Sequence, residues 1–203
     1  MGAWAGPLAV GVVILDPGKR IYKIRDSKLL DPPRRRWLAE RIKERAIAWS
    51  VGLTWPDEID AVGLTEALKR AARRALNDLG LTPDAILLDG TNNYLREEGA
   101  KTIVRGDAES ISIAAASLVA KVCRDDLMTR LAPMYHPYRF EKNKGYPSPV
   151  HKWALAAFGP APIHRRLFSP VQKLVDDGVP GRLLPAAETQ ISADPSGIPE
   201  RHL

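Results

Sequence analysis

The sequence predicts an α/β domain, a three-layer arrangement with a mixed central sheet and helices on both faces. Three observations point there. Residues 8–15 and 85–88 are near-continuous apolar runs of the kind that form strands covered on both sides. Helical apolar patterns alternate with these runs. Two strand-like runs stop at an acid, Asp89 and Asp107, and a long helix pattern follows the second.

Taken in order, residues 8–15 form the first interior strand, led in by a glycine-containing segment at 2–7. Residues 21–24 are a candidate second strand, followed by the polar loop Asp26-Ser27-Lys28. Asp31 can cap a helix whose first turn accepts Pro32 and Pro33. Trp37, Leu38, Ile42 and Ala46 mark its apolar face, and Arg34, Arg35, Arg36, Arg41 and Lys43 decorate the rest. Such a basic run is more often a solvated helix face than a binding site. Residues 48–55 read as a strand. Pro56 and Asp57 open a second helix, with Leu64, Leu68, Ala71, Ala75 and Leu79 as its core stripe and Gly80 as its stop. Residues 102–104 form a short strand before Gly106-Asp107, and a long helix is predicted from Ser110 to about Leu131. The run Ala114-Ala115-Ala116 lets it lie close to the sheet.

Beyond Pro133 the chain becomes aromatic, basic and rich in turn formers. A short helix is predicted over 149–158 and one more helical turn over 171–175. Three regions result: a core over 1–132, a C-terminal substrate-binding appendage over 133–175, and a tail over 176–203 rich in Gly, Pro, Ser and charge.

The 203 residues suit one domain with a small appendage, and 45% apolar content suits a globular core. A net charge of +6 favours an anionic partner, nucleic acid above all, against the plainer reading of a solvated basic surface. Cys123 is the single cysteine, which excludes an intrachain disulfide framework and suits a reducing compartment. No run is apolar and long enough to span a bilayer, and no secretion signal is visible. The expectation is a cytoplasmic monomer.

Carboxylates at strand ends are costly to bury and persist where a cation or hydrogen bonds hold them. Asp89 and Asp107 on a basic protein suit phosphodiester hydrolysis, in which two Mg²⁺ or Mn²⁺ ions activate a water and stabilise the leaving oxygen. The alternatives are ordinary ones: Asp-Gly is a common turn, and Asp107 can cap the helix after it. Tyr146 beside Lys142 and Lys144 combines a stacking plane with phosphate-seeking charge, or else simply packs a loop. His136, His151 and His164 form no ligand set by spacing and read as loop and helix-edge residues. Asp125 reads as a helix-surface ion-pair member.

Several blocks resemble the ribonuclease HII (type 2 ribonuclease H) family: AGPLA at 5–9, DSK at 26–28, LDG at 88–90, GDAESISIAAASLVAKVCRD at 106–125, KGY at 144–146 and GPAPIHRRLFSPV at 159–171. The resemblance implies a ribonuclease H-like fold and a Mg²⁺- or Mn²⁺-dependent endonuclease. Its substrates would be RNA–DNA hybrids and DNA duplexes containing ribonucleotides, cut on the 5′ side of the ribonucleotide. In that family four acids form the site. Asp89 matches the third and Asp107 the fourth. Tyr146 matches a tyrosine that stacks on the sugar at the RNA–DNA junction. Ser27 and Lys28 match a phosphate-side motif, and Lys144 belongs to the block around Tyr146. Arg165 and Arg166 match a basic block that serves the nucleic-acid backbone or packing.

The family opens with an Asp-Glu pair and a Gly-Arg-Gly turn that senses the ribose 2′-hydroxyl. Gly2 fits the last glycine of that turn, Met1 falls on the arginine, and no nearby acid replaces the pair. The resemblance therefore implies a chain lacking two of four metal ligands, with impaired cleavage. The rival expectation is a catalytically silent protein that binds RNA–DNA hybrids.

Overall fold

In the computed structural model, residues 2–24, 30–96 and 99–178 are described. The elements run β1 (Leu8–Ile14), α1 (Pro32–Arg45), β2 (Ala48–Thr54), α2 (Pro56–Asp78), β3 (Ile86–Asp89), β4 (Ala100–Ile103), α3 (Gly106–Glu109) and α4 (Ile111–Leu131). A 3-10 helix (Ala132–Tyr138), α5 (Phe140–Asn143), α6 (Pro149–Phe158) and α7 (Ser169–Asp176) complete the chain as described. The tail expected over 176–203 lies, from residue 179 on, outside the described residues.

β1 pairs antiparallel with β2, Leu8 opposite Thr54 and Ile14 opposite Ala48. β3 pairs parallel with β4, Asp89 opposite Ile103. The period-two alternation of β1 serves both helical layers. Ala9 and Val13 pack with Leu38, Ile42, Ala115, Leu118 and Val119 from α1 and α4. Leu8 and Val10 pack on Ile59, Ala67 and Ala71 of α2. Two glycines permit the close approach. A Cβ on Gly11 would stand 2.3 Å from the carbonyl oxygen of Ala116 on α4, and one on Gly52 would stand 1.9 Å from that of Ala71 on α2.

Among the described residues the β1–β2 and β3–β4 ladders are separate. A cavity of about 920 Å³ lies between them, lined by residues 8–15 on one side and 84–89 on the other. Ala116 and Ala120 of α4 and Ala72 and Leu76 of α2 complete its walls. Leu87, expected in a fully interior strand, is 42% exposed as a result.

The predicted Asp31 cap holds, its Oδ1 accepting the Arg34 N–H at 2.9 Å. The cap of α4 is Ser110, through the Ile113 N–H, and not Asp107. Two other expectations do not hold. Residues 21–24 form no strand: Lys23 has a left-handed φ of 67°, which ends an extended run, while Ile24 buries itself in the main core. Trp37 is not on the apolar face of α1; it points outward with the Arg41 guanidinium 5.9 Å from its ring. Helix α2 also bends where Gly63 leaves helical geometry, at φ 77°.

A second apolar cluster joins the end of α4 to the C-terminal elements through Met128, Tyr138, Phe140, Ala154, Leu155, Ile163 and Val171. Ala5 belongs to it, and an isolated bridge between Ala5 and His164 ties the start of the chain to the loop after α6.

Candidate active site

Asp89 is the last residue of β3. Gly90 turns the chain there with φ 105°, and its N–H donates to Ile103 O at 3.0 Å. From Ile103 the chain reaches Arg105, in left-handed geometry, and opens α3 at Gly106. The Gly106 N–H donates to Asp89 Oδ1 at 2.8 Å. Parallel pairing and this one bond therefore bring Asp89 against the residue that precedes Asp107, and both acids belong to one edge of the fold. Tyr94 sits on the same side. Burial, and then the Asp89 charge, hold its hydroxyl above the ordinary tyrosine range. Sequence reasoning did not single out Tyr94, because nothing local ties it to Asp89.

The carboxylates of Asp89 and Asp107 are hard oxygen donors of the kind that Mg²⁺ and Mn²⁺ prefer. The bond from Gly106 orients the Asp89 carboxylate and leaves lone pairs on both of its oxygens for a cation. The donor set thus fits a divalent ion in kind. Among the described residues no group of three or more His, Cys, Asp or Glu side chains is placed to hold a metal.

The cavity continues from Asp89 to Lys121, Arg124 and Tyr146. Tyr146 is 36% exposed and its ring lies near two cations, with Lys121 Nζ 5.0 Å and Arg124 Cζ 5.3 Å from its centroid. Lys144 and Gly145 both adopt positive φ to make the turn that presents it. Lys144 Nζ donates to Thr129 Oγ1 at 2.7 Å and to the Glu141 carbonyl, so its ammonium folds back on the protein. Lys121 also pairs with Asp125 at 2.7 Å, the surface ion pair expected for Asp125.

Two buried arginines build the floor under this rim. Arg124 donates to the carbonyls of Pro7 (2.8 Å), Ala5 (2.9 Å) and Lys144 (2.9 Å). Arg165, 2% exposed, donates to those of Gly6 and Pro7, each at 3.0 Å. Burial, and then the Arg124 charge, push the Arg165 guanidinium down to about 10, still cationic at neutral pH. These bonds make Arg165 a packing residue beneath the loop. Arg166 and Leu167 donate their N–H groups to Asp60 on α2. Gly2 is exposed, with open space around it, while Ser27 and Lys28 lie outside the described residues.

His151 and His164 are not edge residues. Both are buried, and their Nε2 atoms lie 3.0 Å apart. They come from α6 and the loop after it, a pairing that no local pattern announces. Cys123, as expected, packs against the main core, and burial raises its thiol pKa.

A layered α/β fold, an acid at the end of β3 with a second in the helical turn α3 after β4, and a basic, aromatic rim define a ribonuclease H-like nuclease. The ribonuclease HII family model matches residues 1–171. A ribonuclease HII of Thermus thermophilus is 45% identical over 173 residues, covering 84% of this chain and 82% of that one. Ribonuclease HII of Streptomyces avermitilis is 45% identical over 165 residues, covering 81% and 71%. The crystal structure of ribonuclease H2 from Pyrococcus horikoshii superposes with a TM-score of 0.73 at 28% identity, covering 87% and 93%. The chain belongs to the ribonuclease HII family. Among the described residues no helix is long and apolar enough to cross a membrane.

Proposed function

We propose that the chain acts on RNA joined to DNA, hydrolysing the RNA strand of hybrids and cutting on the 5′ side of ribonucleotides embedded in duplex DNA. The observation that carries this reading is the Gly106 N–H to Asp89 bond, which holds Asp89 beside the residue that precedes Asp107, at a cavity whose lining runs from Asp89 to Tyr146.

Asp89 and Asp107 would hold Mg²⁺ or Mn²⁺. Such ions supply an activated water and stabilisation of the leaving oxygen. The Tyr146 face offers a stacking plane for the sugar at the junction. Lys121 stands beside it with positive charge for a neighbouring phosphate, while the buried Arg124 supports the ring from below. Gly2, Lys28 and Ser27 take part in substrate binding in this reading, as the family resemblance implies. The protein works as a monomer in the cytoplasm.

A second reading is a hybrid-binding protein without cleavage, which the partly exposed Tyr146 beside Lys121 supports. Gel assays on a duplex holding one ribonucleotide, with Mn²⁺ and with Mg²⁺, separate the two. Cleavage on the 5′ side, lost in Asp89→Asn, supports the enzyme. Retardation with no cleavage supports the binder.

A further inference from the structure

The Tyr146 carbonyl leads into a buried chain of hydrogen bonds. His151 Nδ1 lies 2.9 Å from that carbonyl, and His151 Nε2 lies 3.0 Å from His164 Nε2. His164 Nδ1 lies 3.0 Å from the Ala161 N–H. The direction of every bond follows from its ends. A carbonyl can only accept, so His151 Nδ1 carries a hydrogen. A neutral His151 then has a bare Nε2, so His164 Nε2 must donate to it. A neutral His164 then has a bare Nδ1, which accepts from the Ala161 N–H; the Ala161 carbonyl, 3.2 Å from the same nitrogen, would take a hydrogen there only at the cost of the bond between the two rings or of a charged imidazole. One tautomer of each ring satisfies all four groups, and both rings are neutral.

We infer that His151 and His164 form a relay that positions Tyr146 against the ribonucleotide, and are not merely a buried polar pair. The inference rests on the reading of Tyr146 given above. The two imidazoles are closely packed. Trp4, Phe140 and Tyr138 rings close around them, with centroids 5.7 Å and 5.4 Å from His151 and 4.8 Å from His164, respectively. Upstream of the Tyr146 carbonyl, Gly145 O accepts from Trp4, the Gly145 N–H donates to Asn143 Oδ1, and the Tyr146 N–H donates to Asn143 O. Pro147 follows and brings no N–H of its own. The next anchor is Ser148, whose Oγ accepts the His151 N–H at 3.2 Å and whose carbonyl accepts the Lys152 N–H at 2.9 Å. The His151 ring thus holds the Tyr146 carbonyl between these two anchored segments. Burial of both imidazoles favours the neutral forms that the relay requires.

The test is a mutant cycle read as preference for a duplex with one ribonucleotide over plain DNA, measured by gel retardation in EDTA. His151→Leu should reduce the preference about five- to tenfold, the value of one buried hydrogen bond to a positioned group. His151→Asn, whose amide can still reach the Tyr146 carbonyl, should restore most of it. In a Tyr146→Ala background His151→Leu should change nothing further. An equal loss in both backgrounds would overturn the relay while leaving the role of Tyr146 intact. An unchanged preference in Tyr146→Ala alone would overturn that role, and the relay's purpose with it. Nitrogen-15 NMR of the unmodified protein supplies a reading free of folding effects. It should show His151 as the Nδ1–H tautomer and His164 as the Nε2–H tautomer; the opposite tautomers would overturn the relay directly.

Discussion

Asp89 and Gly106 are joined by a 2.8 Å hydrogen bond across 17 residues of sequence, and this bond holds Asp89 against the residue that precedes Asp107. Gly106 has no room for a side chain. A Cβ there would stand 2.6 Å from Ile113 Cδ1 and 3.2 Å from Asp89 Oδ1. Gly106→Ala is expected to displace the Asp89 carboxylate and cost about 1–3 kcal/mol of stability from overpacking. Mn²⁺ titration should show weaker binding than in the unmodified chain, and urea unfolding should show the loss. Asp89→Asn keeps an acceptor for the Gly106 N–H, so it should leave stability nearly unchanged while removing metal binding.

Arg124 carries the loop that floors the site. Replacing it with Met fills similar volume but leaves the carbonyls of Ala5, Pro7 and Lys144 without this donor. A loss of about 3 kcal/mol or more is expected. Equilibrium urea unfolding measures it directly.

Tyr146 separates ring from hydroxyl cleanly. Tyr146→Phe keeps the plane near Lys121 and Arg124 and should retain preference for a ribonucleotide junction. Tyr146→Ala should lose about tenfold, within the ~1–3 kcal/mol typical of base or sugar stacking on an aromatic ring. Competition gel retardation reads both.

His164 sets a pH dependence. Burial, and then the neighbouring His151, push its pKa from an ordinary 6.5 to about 3. The unfolded chain takes up a proton as pH falls below about 6.5, and the folded chain does not until about 3. Stability from this group is therefore complete above 6.5 and lost as pH falls through that window, by about 1.4 kcal/mol per pH unit. Tyr138, whose hydroxyl is pushed up to about 12 and donates to Gly159 O, stays neutral throughout. Urea unfolding at pH 7.5 and pH 5 should show a steeper decline for the unmodified chain than for His164→Asn.

Much of this was legible in the sequence because it depends on local pattern. Asp31 before two prolines marks a cap, and an apolar run ending in Asp89 marks a strand that delivers an acid to an edge. Ile21 and Ile24 looked strand-like because two apolar residues in a short segment do not reveal a left-handed residue between them. Arg124 and Arg165 gave no sign of burial. All but one of the carbonyls named above as their partners lie 117 to 159 residues away, and an arginine is written the same way whether it faces water or a backbone loop. The pairing of His151 with His164 was hidden for the same reason, since α6 and the following loop meet only after the second cluster packs. Trp37 fits the helical period of an apolar stripe, but α1 buries a narrower face made of Leu38, Ala39 and Ile42.

The most direct measurement is cleavage of a DNA duplex holding one ribonucleotide in Mn²⁺, by the unmodified chain and by its Asp89→Asn and Asp107→Asn variants. Cleavage on the 5′ side of the ribonucleotide, lost in each variant, is the expected result. Cleavage that survives both substitutions would contradict the assignment of Asp89 and Asp107 to the metal site.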